Sequence, residues 1–419
     1  MGTNRGASAV RTGIGADGPE RFADDAIYER LHPYYAEVCA LSELRKKRGI
    51  GVPLRSGMGG HSLLYLNGVR VDRREAYPTL VLCEPGGEPG RHCVGISVNS
   101  HYRNANWVAA EGRDFIWRGA LGPGESLTHA SYERTQRLAK AQGVLDGIEF
   151  QGHLFRDKPP GMSERDYMYE ISIASDYAVR FGRNVYRARV PLDRNRMAVI
   201  VDFLNGLNAP YRGGELVFRW DALNNNCSHV GHNALAAAGI WAPWPTGQFF
   251  AIAAFRFPVP KNEFVDIVLR TNDLRIDDAR AMFDDELARR ALLETGALPT
   301  APAALAIAEQ AIRENEVYET DRLRLIFYAN PFWGHYRRHF DRILGEPRYS
   351  DLGTNLRHFA QIYERATERR SSARGRQARS DAEAQFCMHY DRYIEREAAR
   401  VNDLLSRLDR TPEIAEAVS

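Results

Sequence analysis

Cysteine is scarce in this 419-residue chain, which contains only five. The five residues are Cys39, Cys83, Cys93, Cys227 and Cys387. Their number is odd, and their spacing matches no zinc ribbon, CxxC motif or disulfide framework. We therefore expect reduced thiols in a cytoplasmic protein. The pattern argues against a disulfide-stabilised secreted fold and against a cysteine-ligated metal module.

The chain also lacks a charge excess and a long apolar run. Its formal net charge is only +2, so the composition favours neither nucleic acid nor an acidic membrane as a partner. The longest apolar run, 249–257, is interrupted by Arg256 and is far shorter than the ~20 residues of a membrane helix. Residues 1–20 are polar and lack the apolar segment of a secretory signal. We expect a disordered leader there and no transmembrane segment in the chain.

The P-loop motif for nucleotide phosphates and the GxSxG motif for a serine nucleophile are both missing. The glycine-rich stretch 57–60 lacks the lysine of a P-loop. Lysine itself is rare beside arginine and occurs only at positions 46, 47, 140, 158 and 261, which we attribute to codon usage. We predict that the protein uses no cofactor.

The spacing of apolar residues predicts an α+β core followed by a helical region. Residues 21–47 show helical periodicity, and a block of short strands follows. The predicted strands are 61–66, 79–84, 93–99 and 184–191, and the predicted helices are 127–146, 162–181, 193–207 and 227–238. From residue 276 the pattern is mainly helical, with predicted helices at 277–296, 301–316 and 381–408 and a linker at 369–380. We therefore divide the chain into a leader at 1–20, an α+β core at 21–275 and an α-helical C-terminal region at 276–419.

The segment Asn-Asn-Asn-Cys-Ser-His at 224–229 places Cys227 at the predicted start of a helix. Asparagine is a good N-cap, so Asn226 and its neighbours favour a helix beginning at this point. A thiol at a helix N-terminus lies near the positive end of the helix dipole and near unsatisfied amides, which lower its pKa and favour the nucleophilic thiolate. The alternative interpretation is a buried cysteine that packs as a small apolar residue.

The segment Gly-Gly-His-Ser-Leu-Leu-Tyr-Leu at 59–66 places His61 at the head of a predicted strand. An imidazole within hydrogen-bond reach of a thiol can act as its general base. The alternative is a histidine that only satisfies local hydrogen bonds. Its interest therefore depends on whether the fold brings it to Cys227.

A third polar residue would orient the imidazole. If strands 61–66 and 79–84 form a hairpin that pairs Leu66 with Thr79, His61 lies opposite Glu84, which is our first choice. Asn99 and His101 are the alternatives, and Asn226 is a further candidate for substrate binding.

Histidines follow Cys227 at positions 229 and 232, which raises the question of a metal site. In a helix, residues two apart point about 200° away from each other, so Cys227 and His229 would not share an ion. His335 and His339 have the spacing of helical zinc ligands but lack the glutamate of an HExxH motif. We predict no metal site and a solvated basic helix face around His335.

The order of the two segments resembles the circularly permuted branch of the papain-like NlpC/P60 superfamily. In that branch a Gly-His-Ser strand precedes an Asn-Cys helix, as His61 and Cys227 do here. Asn-Cys-Ser-His-Val is similar to the Asn-Cys-Glu-His-Phe segment of lecithin-retinol acyltransferase-like proteins, and the bacterial DUF4105 family looks closer still. The resemblance covers residues 55–245. This chain departs from the family pattern in three ways: it lacks an export signal, it carries a long C-terminal region, and its third catalytic residue is undefined.

The resemblance implies a permuted papain-like core with a small antiparallel sheet, in which Cys227 is the nucleophile and His61 the base. It implies acyl transfer through a thioester, by a hydrolase or an acyltransferase, with a peptide, a peptidoglycan fragment or a lipid as substrate. The alternative function is a catalytically inactive scaffold that binds a partner protein through its C-terminal helices.

Overall fold

The computed structural model describes residues 19–52, 60–86, 88–221, 225–245, 259–321, 323–325, 327, 335–372 and 378–410. The strands are β1 (Tyr35–Leu41), β2 (His61–Asn67), β3 (Val69–Val71), β4 (Leu80–Leu82), β5 (Cys93–Ser97), β6 (Val108–Glu111), β7 (Val185–Pro191) and β8 (Leu305–Glu309). The α-helices are α1 (Pro19–Leu31), α2 (Arg113–Arg118), α3 (His129–Ala141), α4 (Glu164–Ser172), α5 (Arg194–Asn208), α6 (Cys227–Ala237), α7 (Pro260–Asn272), α8 (Ala279–Asp284), α9 (Glu286–Thr295), α10 (Tyr336–Gly345), α11 (Leu352–Ser372) and α12 (Asp381–Asp409).

One antiparallel sheet organises the molecule, with strand order β6-β5-β2-β1-β7-β8. Strand β1 lies near its middle and pairs with β2 and β7 along its whole length. Every residue of these three strands is buried, so both faces of the central sheet are covered. Strands β3 and β4 form a separate small ribbon. The predicted α+β class with a small antiparallel sheet is confirmed.

The N-terminal helix is shorter than the sequence predicts. Helical periodicity over 21–47 predicts one helix, but α1 ends at Leu31 and the chain enters β1 at Tyr35. Because β1 is buried on both faces, its apolar residues form a nearly continuous run, which also matches helical spacing. Tertiary burial therefore decides between two local interpretations.

The two faces of the sheet carry different chemistry. Residues paired across an antiparallel ladder point to the same face, and residues alternate along each strand. Helix α6 packs on the Val38 face of β1, where Gly231 lies against the Val38 methyl groups. Helix α7 lies on the same face through Phe264, whose ring contacts Tyr186 of β7. The opposite face carries buried ion pairs between Glu37 and two arginines of β7.

The C-terminal region also contributes to this sheet. The predicted helix at 301–316 is wrong, because residues 305–309 form β8, which pairs with β7 from Val185↔Glu309 to Arg189↔Leu305. The predicted division at residue 276 therefore does not separate the sheet from an all-helical region. The predicted helix at 381–408 is confirmed as α12. None of the described helices combines the length and the apolarity needed to cross a membrane.

Candidate functional site

Cys227 is the first residue of α6, as the sequence predicts. The side-chain oxygen of Asn226 accepts hydrogen bonds from the amides of Ser228 (2.9 Å) and His229 (3.2 Å). This capping satisfies amides that a helix end otherwise leaves without partners. Asn226 therefore fixes the start of α6, and with it the position of the cysteine.

Backbone amides surround the thiol of Cys227, a residue that is partly exposed as a whole. Burial raises its pKa, while the amide of Ser62 on β2 and the amides of Ser228 and Cys227 itself act in the lowering direction. The sequence-based prediction of a lowered pKa is therefore wrong for the resting site, since desolvation outweighs the helix N-terminus. At neutral pH the resting group is the thiol rather than the thiolate.

His61 is buried at the first residue of β2, and its ring is held by polar neighbours. Its Nε2 lies 3.0 Å from Ser97 Oγ, and the Ser97 hydroxyl donates to Asp176 Oδ1 at 2.6 Å. The carbonyl of Ser175 also lies beside the ring. The imidazole therefore belongs to a buried hydrogen-bonded chain that ends in a carboxylate.

This environment keeps His61 neutral. Burial lowers its pKa to about 3, with further lowering from the charges of Arg183, His101 and Lys261. The Ser175 carbonyl acts in the opposite direction but does not compensate. A neutral imidazole can accept a proton, which is the form that a general base requires.

The structure brings Cys227 to the strand that carries His61, but it directs the two side chains differently. The thiol lies against the Ser62 amide, next to His61 in the chain. His61 points to the sheet face shared by Leu63 and Ser97, whereas α6 packs on the other face. Among the contacts of the described residues, no hydrogen bond joins the thiol to the imidazole.

Glu84 is not the third member of the site. The predicted hairpin of 61–66 with 79–84 does not form, because β2 pairs with β1 and β5 while β4 pairs with β3. The Glu84 side chain is 76% exposed and forms a surface ion pair with Arg194 at 2.6 Å. Strand β5, which does pair with β2, places Ser97 beside the His61 ring instead.

The two alternatives to Glu84 lie close to the same carboxylate. Asn99 donates a hydrogen bond to Asp176 Oδ1 at 3.4 Å. Burial lowers the pKa of His101, and the charge of Asp176 opposes this lowering. Asp176 is therefore the centre of the polar chain behind His61, and sequence spacing alone does not reveal it.

Sequence reasoning also missed two buried cations at this end of the sheet. The Arg183 guanidinium donates to the carbonyls of Ser42 (2.6 Å) and Ala174 (2.8 Å), and burial lowers its pKa to about 10. Lys261, near the start of α7, is only 1% exposed, and burial together with Arg183 lowers its pKa to about 7.

The histidines that follow Cys227 serve the packing of α6. His229 Nδ1 lies 3.1 Å from Asn226 Oδ1. His232 Nδ1 lies 2.7 Å from Glu263 Oε1, its Nε2 lies 2.9 Å from the Ala242 carbonyl, and its ring stacks on Trp244. Both nitrogens of His232 are thus engaged, and the described residues contain no cluster of three metal-ligand side chains.

Comparison with known proteins finds no matching family model, no matching curated protein and no matching solved structure.

Proposed function

We propose that this protein is a cysteine-dependent acyl-transfer enzyme that forms a thioester on Cys227. The observation that carries the proposal is the position of the thiol, which lies among amides from both α6 and β2. Such amides can stabilise the negative oxygen that develops when a thiolate attacks a carbonyl carbon. Cys227 is partly exposed as a residue, and the proposed reaction requires a substrate to reach its sulfur.

The proposed reaction has two halves. In the first, Cys227 Sγ passes its proton to a neighbouring base and bonds to the carbonyl carbon of an amide or ester, and His61 transfers that proton to the leaving group as its bond to the carbonyl carbon breaks. In the second, His61 takes a proton from water or from an acceptor, which bonds to the carbonyl carbon and displaces the sulfur, and that proton returns to Cys227 Sγ. Because His61 and α6 lie on opposite faces of the sheet in the resting structure, the proposed reaction requires the His61 ring to turn toward the thiol when substrate binds.

Ser97 and Asp176 would orient the imidazole during this cycle. The chain from His61 through Ser97 to Asp176 has the role that a third residue has in a catalytic triad. Water as acceptor makes the protein a hydrolase, and an amine or hydroxyl makes it an acyltransferase. Peptides, peptidoglycan fragments and lipids are the substrate classes to test.

The direct test is to trap the thioester. The full chain is incubated with activated esters of short and long acyl groups, and its intact mass is recorded. We expect an acyl adduct on Cys227 in the wild type, no adduct in Cys227→Ser, and slower formation and decay in His61→Ala. Cys83 and Cys387 are also partly exposed, so Cys83→Ser and Cys387→Ser are matched controls that should retain the adduct. An adduct that persists in Cys227→Ser would disprove the assignment.

The second candidate function is a catalytically inactive protein that binds a partner through its C-terminal helices. The observation in its favour is that the resting thiol is protonated and the imidazole is bonded to Ser97 rather than to Cys227. This candidate predicts that no ester acylates Cys227 faster than it acylates Cys83 or Cys387. The same mass measurement therefore separates the two functions.

A further inference from the structure

Lys261 reaches the same end of the sheet as Cys227. It is the second residue of α7, and its side chain extends to Gly60, the residue that precedes β2. Gly60 has a positive φ of 73°, and its missing β-carbon leaves the space that the Lys261 ammonium occupies beside the Leu41 carbonyl. The backbone at Gly60 thus leaves room for a buried amine.

The sulfur of Cys227 lies at the same end of β2. The amide of Ser62, two residues after Gly60, donates to the Cys227 thiol. The charges of Cys227 and Lys261 act on each other, since each favours the ionised form of its partner. Helices α6 and α7 therefore deliver a thiol and an amine to the first residues of one strand.

We propose that Lys261 is the counter-charge of the Cys227 thiolate, and thus the positioning residue that creates the nucleophile. The inference rests on the proposed function for its catalytic meaning. In the step that we infer, the proton leaves Cys227 Sγ and joins Lys261 Nζ, so a neutral thiol and amine become a thiolate and an ammonium. His61 keeps its separate role, because it transfers the proton from the Lys261 ammonium to the leaving group and later takes a proton from the acceptor.

Other charged groups near this pair affect which of its members is ionised. The positive charge of Arg183 disfavours the Lys261 ammonium and favours the Cys227 thiolate, and the negative charge of Glu43 favours the ammonium. The Arg183 guanidinium is fixed by the carbonyls of Ser42 and Ala174, so it provides a constant positive charge. Lys261 is the cation whose proton can move, because burial and Arg183 bring its pKa to about 7. Two groups coupled in this way titrate as a pair.

The pair can be tested without any substrate. In protein labelled with ¹³C-lysine, a chain with five lysines gives five side-chain signals, and Lys261→Arg identifies the signal of Lys261. A thiolate beside the amine raises its titration midpoint, so we expect Cys227→Ser to lower the midpoint by about one pH unit. The Lys46 signal is the internal control, because Lys46 pairs with Glu170 and should not respond. An unchanged Lys261 midpoint in Cys227→Ser would overturn the proposal.

The thiol supplies the reciprocal measurement. We expect the pH midpoint for alkylation of Cys227 by iodoacetamide to rise by about one unit in Lys261→Met and to stay near the wild-type value in Lys261→Arg. His61→Ala should leave the midpoint unchanged, and Cys83 and Cys387 report any general loosening of the fold. If Lys261→Met leaves the midpoint in place, or His61→Ala moves it instead, Lys261 is not the counter-charge.

The two proposals can fail separately. If the lysine and thiol midpoints depend on each other but no ester acylates Cys227, the ion pair stands and the acyl-transfer function fails. If Cys227 is acylated normally in Lys261→Met, the function stands and the ion pair fails.

Discussion

Two buried polar regions of the same sheet differ in whether the charged or the neutral form of their side chains is favoured. In the first, which we call the arginine cluster, Glu37 of β1 lies between Arg187 and Arg189 of β7. Glu37 bonds Arg187 Nη1 at 3.1 Å and Arg189 Nε at 2.6 Å, and Arg189 also bonds Asp25 at 2.6 Å. Arg187 reaches Glu309 of β8 at 3.2 Å as well. Each buried cation therefore has more than one carboxylate.

The pKa shifts in the arginine cluster follow from this pairing. Burial lowers the pKa of Arg187, but the charges of Glu309, Glu37 and Asp25 outweigh it, and the net pKa is raised. Burial raises the pKa of Asp25, yet the two arginines lower it below its ordinary value. Arg187 and Asp25 are thus both held in their charged forms.

The candidate site shows the reverse. Burial lowers the pKa of Lys261 to about 7 and that of His61 to about 3, and it raises the pKa of Cys227. The effect of desolvation on these pKa values exceeds the effect of nearby charges, because these groups have fewer opposite charges near them. Burial therefore favours the neutral form of each group. Of these groups, Lys261 changes its protonation near neutral pH, which is the property that proton-transfer chemistry uses. The comparison separates a structural ionic cluster from a site with titratable groups.

The largest expected effect comes from breaking the arginine cluster. Glu37→Gln leaves Arg187 and Arg189 buried with one carboxylate removed from each. We expect the free energy of unfolding to fall by about 3–5 kcal/mol, as for other buried ion pairs that lose one partner. Denaturant unfolding measures this loss.

Glu84→Gln is the matched control for that experiment. It removes the same charge from an ion pair that lies on the surface with Arg194. We expect no measurable change in unfolding, because solvent screens exposed pairs. Equal effects of the two substitutions would show that the arginine cluster does not behave as a compensated buried network.

A smaller effect is expected from acid. The folded-state pKa of His61 is about 3, against about 6.5 in the unfolded chain, so the unfolded state binds more protons between these values. Stability should therefore be complete above pH 6.5 and decrease as the pH falls below it, with about 2 kcal/mol lost by pH 5 from this residue. The arginine cluster should begin to lose stability only below pH 4, where the unfolded carboxylates protonate.

His61→Gln and His32→Gln form a matched pair for this measurement. Burial lowers the pKa of His32 to about 3 as well, although His32 follows α1 and lies outside the candidate site. Each substitution should remove part of the stability loss between pH 6.5 and 5, and only His61→Gln should impair acylation of Cys227. An acid profile that neither substitution changes would contradict the assigned histidine pKa values.

The sequence predicts local features of the site better than its long-range partners. Capping chemistry predicts α5 from Asp193 and α6 from Asn226, because the signals lie within one helical turn. The register around His61 depends on which strand neighbours β2, and that neighbour is set by the packing of the entire sheet. Asp176 comes from a loop 115 positions after His61 along the printed sequence, so no local spacing points to it.

Lys261 was missed for a different physical reason. Beside a proline and among polar residues at a helix start, its sequence context is typical of a solvated lysine. Its burial arises only when the start of α7 packs against Gly60, the residue that precedes β2. A glycine that makes room for a distant side chain can be recognised in the folded structure but not from its neighbours in sequence.

The smallest expected effect is the one that tests how the site is oriented. Ser97→Ala removes the hydroxyl that joins the His61 ring to Asp176 while the fold of β5 is retained. One hydrogen bond of this kind contributes about 1 kcal/mol, so we expect about a fivefold slower acylation of Cys227. Asn99→Ala, which removes a longer contact to the same carboxylate, should have a weaker effect. If Asn99→Ala slows acylation more than Ser97→Ala does, Asn99 rather than Ser97 links the imidazole to Asp176, and the polar chain behind His61 must be redrawn.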